Sequence, residues 1–334
     1  MSNRENVLEM INAAWMCQAI GVACALGIPD RIAGGTGEVR ALASTIGASE
    51  EGVKRLLRAL TTLGLARSRD DATFTLTADG TLLTTHAEES LHAWAVMNAT
   101  RGWAAWTHLA EGVRTGRNVR GHTGLDGYAE FRAGEASSET FNRAMRVLTR
   151  PVALGLRDKI AFTGSELAVD IGGGGGHLLM PLLESHPEMR AIVFDLEHAR
   201  PLAEETMAAQ GVRDRCRFVP GSFFDGVPQG DVHFLKSVLH NWDDARAIEI
   251  LRRCREAMAP GTRLLILERI VAPAAAASAI DRENARSDLQ MMLACDGRER
   301  SEREFRSLLS AAALEATAIT PLTPLVSAIE ARAA

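Results

Sequence analysis

The residues most able to do chemistry lie in one run, Asp170-Ile171-Gly172-Gly173-Gly174-Gly175-Gly176. Consecutive glycines let the backbone pass close to a ligand, and a helix opening beyond them would offer free N–H groups to a carboxylate or phosphate. Several nucleotide cofactors fit such a loop, so spacing must choose among them. The dinucleotide fingerprint G-x-G-x-x-G fails, because its third glycine would fall on His177 or on Leu178. The pattern D-x-G-x-G-x-G fits, on Asp170, Gly172, Gly174 and Gly176. An acidic group there attracts an ammonium, directly or through water, and repels a pyrophosphate. Asp195 ends the next apolar run, where a carboxylate can accept both hydroxyls of a ribose. Nicotinamide enzymes use such a carboxylate too, so Asp195 alone does not discriminate.

These residues need a framework that brings strand ends together. From about residue 165, short apolar runs at Leu167–Ile171, Ala191–Phe194, Cys216–Val219, Val232–Leu235 and Leu264–Leu267 fit buried parallel strands. Helical segments lie between them; in one, Ala247, Leu251, Cys254 and Met258 share a face. Ser301-x-x-Glu304 is a capping box opening a last helix with Phe305, Leu308 and Leu309 inward. Two late strands, near Thr317–Leu322 and Leu325–Ile329, complete the sheet. The alternation predicts a doubly wound α/β domain over 156–334.

The first hundred residues read differently. Ile11, Trp15, Ala19, Val22 and Leu26 recur at helical spacing until Gly27 and Pro29. A helix over Glu38–Ile46, a turn at Gly47-Ala48-Ser49, a helix from Glu50 to Leu63 with Leu56, Leu57 and Leu60 inward, and a hairpin of Leu65–Arg69 with Thr73–Thr77 make a winged-helix pattern. Residues 101–155 read as a helical linker. Aromatic residues such as Trp94, Trp103, Trp106, Phe131 and Phe141 fall in the helices of 86–150, and the tryptophans suit packing better than a substrate wall.

The bulk numbers exclude some classes. With 334 residues, 46% hydrophobic and 24% charged, the chain is ordinary for a two-domain enzyme. A net charge of −5 argues against a strong hold on nucleic acid or anionic lipid. Cys17, Cys24, Cys216, Cys254 and Cys295 show no CxxC pair or zinc spacing, as expected of reduced thiols in the cytoplasm. The apolar stretch Trp15–Ile28 is too short for a bilayer span, and no signal peptide is evident. His86, His92, His108 and His122 lack metal-ligand spacing, and no metal is expected.

The loop pattern is that of S-adenosylmethionine enzymes, and taken alone it favours a methyl donor over a dinucleotide. With Val169–Gly176, Ala191–Leu196, Gly221–Phe224, Leu235–Asp244 and Asp296–Phe305 in this order, nearly the whole chain resembles the small-molecule O-methyltransferases of the plant caffeate and bacterial antibiotic-tailoring type. The resemblance implies a Rossmann-like class I methyltransferase sheet, mostly parallel and seven-stranded, behind an N-terminal helical and winged-helix dimerisation domain over 1–100. It implies His240 as catalytic base, held by Glu268 and Glu299. It places cofactor contacts at Lys236 and Ser237, at Leu196 beside Asp195, at the adenine turn Ser222-Phe223, and at Trp242. Met145, Met291 and Asn241 fall on the acceptor side. It also implies a homodimer and a hydroxylated aromatic or polyketide-like acceptor, with residues 94–150 and 285–296 shaping the pocket.

Two positions depart from the pattern: the family usually has Asp where Ser222 and Asn241 stand. A weaker or water-mediated adenine contact and a less basic site would follow. C- or N-methylation, or a non-methylating activity on the same cofactor site, would keep most of these residues. A winged helix also permits a DNA-binding regulator, but Glu50 and Glu51 beside Lys54, Arg55 and Arg58, and the net acidity, speak against it.

Overall fold

The computed structural model describes residues 3–119 and 136–334; Phe131 and His122 lie outside them. Contacts divide the chain into Met1–Ala104 with Ala136–Val147, and Ala105–Glu135 with Leu148–Ala334. The stretch expected as a linker, 101–155, is therefore shared between the two units.

In the first unit, helices α1 (Asn3–Asn12) and α2 (Ala14–Ala25) precede α3 (Ile28–Ala33), α4 (Val39–Ile46) and α5 (Glu50–Thr62). Gly47 takes a left-handed φ of 65° to stop α4, and the Ser49 hydroxyl accepts from Gly52 N to start α5. Strands β1 (Ala66–Ser68) and β2 (Phe74–Leu76) pair antiparallel as the wing. Val53, Leu57 and Leu60 form the buried stripe of α5, and Leu56 is half-buried at its margin. Lys54 pairs with Asp71 and Arg55 with Glu51, so two of the three cations of this helix are opposed by carboxylates.

The apolar stripe of α1 and α2 faces outward. Ile11 is 68% exposed and Trp15 41%, with Val22 and Leu26 also exposed, while Gly21, Ala23 and Cys24 pack inward. The helical run Asn3–Ala25 has 23 residues, longer than the apolar stretch read from sequence, and meets the length and composition of a bilayer span. Its inward side nonetheless packs in the protein: the Gln18 side chain donates to Ala99 O, and an added Cβ at Gly21 would overlap Ala99.

The second unit holds a seven-stranded sheet of β3 (Leu167–Ile171), β4 (Arg190–Asp195), β5 (Cys216–Pro220), β6 (Val232–Lys236), β7 (Arg263–Glu268), β8 (Leu314–Pro321) and β9 (Ser327–Ala333). The order is β5-β4-β3-β6-β7-β9-β8, with β9 antiparallel to both neighbours and the others parallel. Alternate residues feed two cores: Ala191, Val193, Phe234, Leu265 and Leu267 on one face, Ile192, Phe194, Leu235, Leu264 and Ile266 on the other. Helices Asp244–Ala257 and Glu302–Ala311 cover the second face, the latter opened by the Ser301–Glu304 capping box.

His233 is wholly buried in β6, donating from Nε2 to Pro228 O at 3.0 Å, and Nδ1 has no partner among the described residues. A second proton would be buried unpaired, and burial pushes the imidazole down to about 4. An unfolded histidine titrates near ~6.5, so the unfolded chain takes up a proton that the native state refuses. The His233 contribution is complete above ~6.5 and is lost as pH falls toward about 4, a loss of about 3 kcal/mol. Urea midpoints should drop between pH 7 and 5 more steeply in the wild type than in His233→Gln; parallel curves would refute this.

Candidate active site

Strand ends bring the candidate residues to one edge of the sheet. The glycine loop leaves β3, Asp195 ends β4, Ser222 follows β5, Lys236 ends β6 and Glu268 ends β7. The parallel sheet changes direction of winding between β3 and β6, and ligands in such sheets bind outside the carboxyl ends at that point.

Within the loop, Gly172, Gly174 and Gly176 have φ of 73°, 52° and 73°, whereas Gly173 and Gly175 do not enter that region. A side chain at Gly172 would press on Val238 and one at Gly176 on Val193, both below 3.0 Å. Nothing lies within 4 Å of the corresponding point at Gly174, which leaves an open cradle. Gly174 N donates to Asp195 Oδ2 at 2.8 Å and Leu196 N to Oδ1 at 2.6 Å, tying loop to strand end. Turns follow Gly176, and the next helix, Met180–Ser185, begins beyond them.

Asp170 is buried with its carboxylate against Gly173. Burial, then the Asp195 charge, push it up to about 7 against the pull of Lys236. Burial also raises Asp195, against the two backbone N–H groups that hold its charge. Lys236 is lowered by burial despite Glu268 and Asp170. An open glycine cradle, a buried acid short of a counter-charge and a strand-end carboxylate suit the ammonium and ribose of S-adenosylmethionine.

Beyond the loop, Phe223, Phe224 and Trp242 stack edge-on, with Trp242 4.9 Å from Phe224 and 6.0 Å from Phe223. Phe223 borders the glycine loop, 3.8 Å from the position of a Cβ on Gly172. The Ser222 hydroxyl accepts from Phe224 N at 3.2 Å, so part of its acceptor capacity is occupied in its own turn.

His240 sits in a short 3-10 turn, Leu239–Asn241, after β6. Its Nδ1 lies 3.2 Å from Glu299 Oε1 and 3.6 Å from Glu268 Oε2. Glu268 Oε1 accepts from Leu239 N and His240 N at 2.9 and 3.3 Å, and Ser287 Oγ donates to Glu299 Oε1 at 2.6 Å. Burial alone would lower His240, but the charges of Glu268 and Glu299 and the Glu299 hydrogen bond outweigh it and the opposing Lys236, so the net direction is upward. Burial raises Glu268, with Glu299 adding to the rise against His240; Glu299 itself is held low by His240, Ser287 and Arg269 despite its burial. A proton on Nδ1 shared with Glu299 leaves Nε2 free as an acceptor. The same trio has ligand atoms within 4.8 Å of one another, a spacing that also admits a divalent cation.

Asn241 is engaged within the chain: Nδ2 donates to Ser237 O at 3.0 Å, and Cys295 Sγ donates to Oδ1 at 3.5 Å. Ser237 has a left-handed φ of 54°, rare for a residue with a side chain. Met291 is half-buried on the helix Ala279–Ala294 of the second unit, and Met145 half-buried on a helix segment of the first. Ser287 escaped the sequence reading, although it lies four residues before Met291 and so on the same helix face.

The sheet order and the loop define a Rossmann-like methyltransferase. Residues 106–315 match the O-methyltransferase domain model and residues 8–86 the O-methyltransferase dimerisation domain model; the chain belongs to the S-adenosylmethionine-dependent O-methyltransferase family and is an O-methyltransferase. It is 34% identical over 328 residues to the phenazine O-methyltransferase PhzM of Lysobacter antibioticus, covering 98% of this chain and 95% of the relative. The structure of the mitomycin 7-O-methyltransferase MmcR superimposes with a TM-score of 0.90 at 33% identity, covering 99% and 98% of the two chains. An O-methyltransferase of neocarzinostatin biosynthesis, solved with S-adenosylmethionine and 2-hydroxy-5-methyl naphthoic acid, gives 0.82 at 30% identity over 96% of each chain.

Proposed function

We propose that this chain methylates a hydroxyl of an aromatic or polyketide-like small molecule, with His240 as the base. The observation that carries the reading is the imidazole flanked at Nδ1 by two buried carboxylates, two residues after Val238, which borders Gly172 of the glycine loop. When bound, S-adenosylmethionine supplies an electrophilic methyl. Asp170 would hold its ammonium, Asp195 its ribose, and Phe223 and Trp242 its adenine. His240 Nε2 takes the acceptor's proton as the oxygen–carbon bond forms and the sulfur–carbon bond breaks. A phenol of pKa ~10 stays mostly neutral at pH 7, so an imidazole raised above ~6.5 is a competent partner. Glu299 and Glu268 stabilise the resulting cation. The relatives named for phenazine and mitomycin, and the naphthoic acid bound to a third, support a flat aromatic acceptor. Trp106, packed against Ala105, Val119 and Leu293, donates its indole N–H to Gln290 at 2.8 Å on the helix that carries Met291.

The test is mass spectrometry of phenolic compounds incubated with labelled donor in EDTA. One methyl should be gained per adenosylhomocysteine released. Methylation only at carbon or nitrogen would sink the O-directed reading. Loss in EDTA with recovery on adding a divalent metal would assign the trio to a cation.

The outward stripe of α1 and α2 and the dimerisation-domain match support a homodimer. Ile11→Asp should convert dimer to monomer in light scattering; an unchanged mass would place the interface elsewhere. Five cysteines without a disulfide support a cytoplasmic site of action.

A further inference from the structure

Among the described residues, one wholly buried charge is used by no catalytic step. Arg300 is wholly buried and follows Glu299 directly. Its Nη1 donates to Leu239 O at 2.8 Å and its Nη2 to Trp242 O at 2.7 Å, so the guanidinium grips the backbone on both sides of His240. Nε and Nη2 donate to Asp244 Oδ1 at 3.0 and 2.8 Å, which fixes the fork from the start of the next helix. The backbone of Arg300 pairs with Ile270 and accepts from Val271 N at 3.0 Å, two and three residues beyond Glu268 in the chain leaving β7. Gly297 closes the arrangement, since a Cβ there would overlap His240 O.

We propose that Arg300 is a positioning residue for His240: through Leu239 O and Trp242 O it sets the turn so that Nδ1 meets Glu299. Adjacent residues thus act on opposite sides of one turn, the Glu299 carboxylate on the ring and the Arg300 guanidinium on the backbone beneath it. A planar fork suits this because it reaches two carbonyls and a carboxylate at fixed angles, which an ammonium on a flexible stem does not. The inference rests on the reading of His240 as base, and the experiment separates the two.

Arg300→Lys keeps the charge and loses the fork, and Asp244→Ala leaves the buried side chain in place but frees its anchor. In both, kcat at saturating substrates should fall, by about 100-fold in Arg300→Lys and less in Asp244→Ala, the order expected for a displacement of roughly 1 Å, and saturation removes any weakening of donor binding through Trp242. The distinguishing readout is the titration of His240, followed by NMR of ring-labelled protein. The charged groups around that ring are Glu268, Glu299 and Lys236, with Arg269 behind Glu299, and Asp244 faces both Arg300 and Arg298. Loosening the turn draws the ring from Glu299, so its midpoint should fall in both variants; a merely structural role would lower Tm and leave the midpoint in place. Unchanged midpoint and kcat in the folded variants overturn the proposal. Should Arg300→Lys not fold, Asp244→Ala decides alone. Full turnover in His240→Gln would sink the base assignment instead, while the NMR midpoint still reports on Arg300.

Discussion

His240→Gln should lower kcat by about 10³-fold, with donor affinity nearly intact. General-base catalysis contributes about 10²–10⁴-fold, and glutamine cannot accept the acceptor's proton while nearly filling the imidazole's place. The pH profile carries the sign. The base must be neutral, and its pKa lies above the ordinary histidine value because Glu268 and Glu299 outweigh burial, so wild-type kcat should fall on the acid side of a midpoint above ~6.5. Glu299→Gln removes one of those charges and should move the midpoint to lower pH. A profile unchanged by Glu299→Gln, with a full rate in His240→Gln, would remove the imidazole from the chemistry.

Asp195→Ala should weaken donor binding by about 100-fold. Two hydrogen bonds to a charged acceptor contribute about 3 kcal/mol together at the low end. The loss is compounded in this chain, because the same carboxylate accepts from Gly174 N and holds the loop. The weakening should appear in calorimetry with adenosylhomocysteine, while kcat at saturating donor changes far less. An unaltered Kd would show that the ribose sits elsewhere.

Much of the second unit was legible because strands buried on both faces leave continuous apolar runs. The glycine loop was legible to the residue: five glycines stand in a row, and the three chosen by spacing are the three at positive φ. The last strand was placed too early. Leu325 and Val326 look like strand residues, but their N–H groups donate to the Thr323 hydroxyl in a tight turn, and β9 starts at Ser327. The helical stripe of Ile11, Trp15, Val22 and Leu26 was visible as a pattern, yet periodicity does not say whether an apolar face turns inward or awaits a partner. Asn241 drew attention through its position beside the base; that both ends of its amide bond within the chain required coordinates. Arg300 gave no signal at all, since a cation satisfied by two main-chain carbonyls leaves no pattern of side-chain types to find.

The acid at the base of the glycine loop has a thermodynamic signature. With its carboxyl pushed up to about 7 by burial and by the Asp195 charge, Asp170 holds its proton more readily than an exposed aspartate. An ammonium docking beside it selects the ionised form, so association liberates a fraction of a proton to the medium. The apparent heat of donor binding should then vary with the ionisation enthalpy of the buffer, and affinity should weaken as the solution is acidified below neutrality.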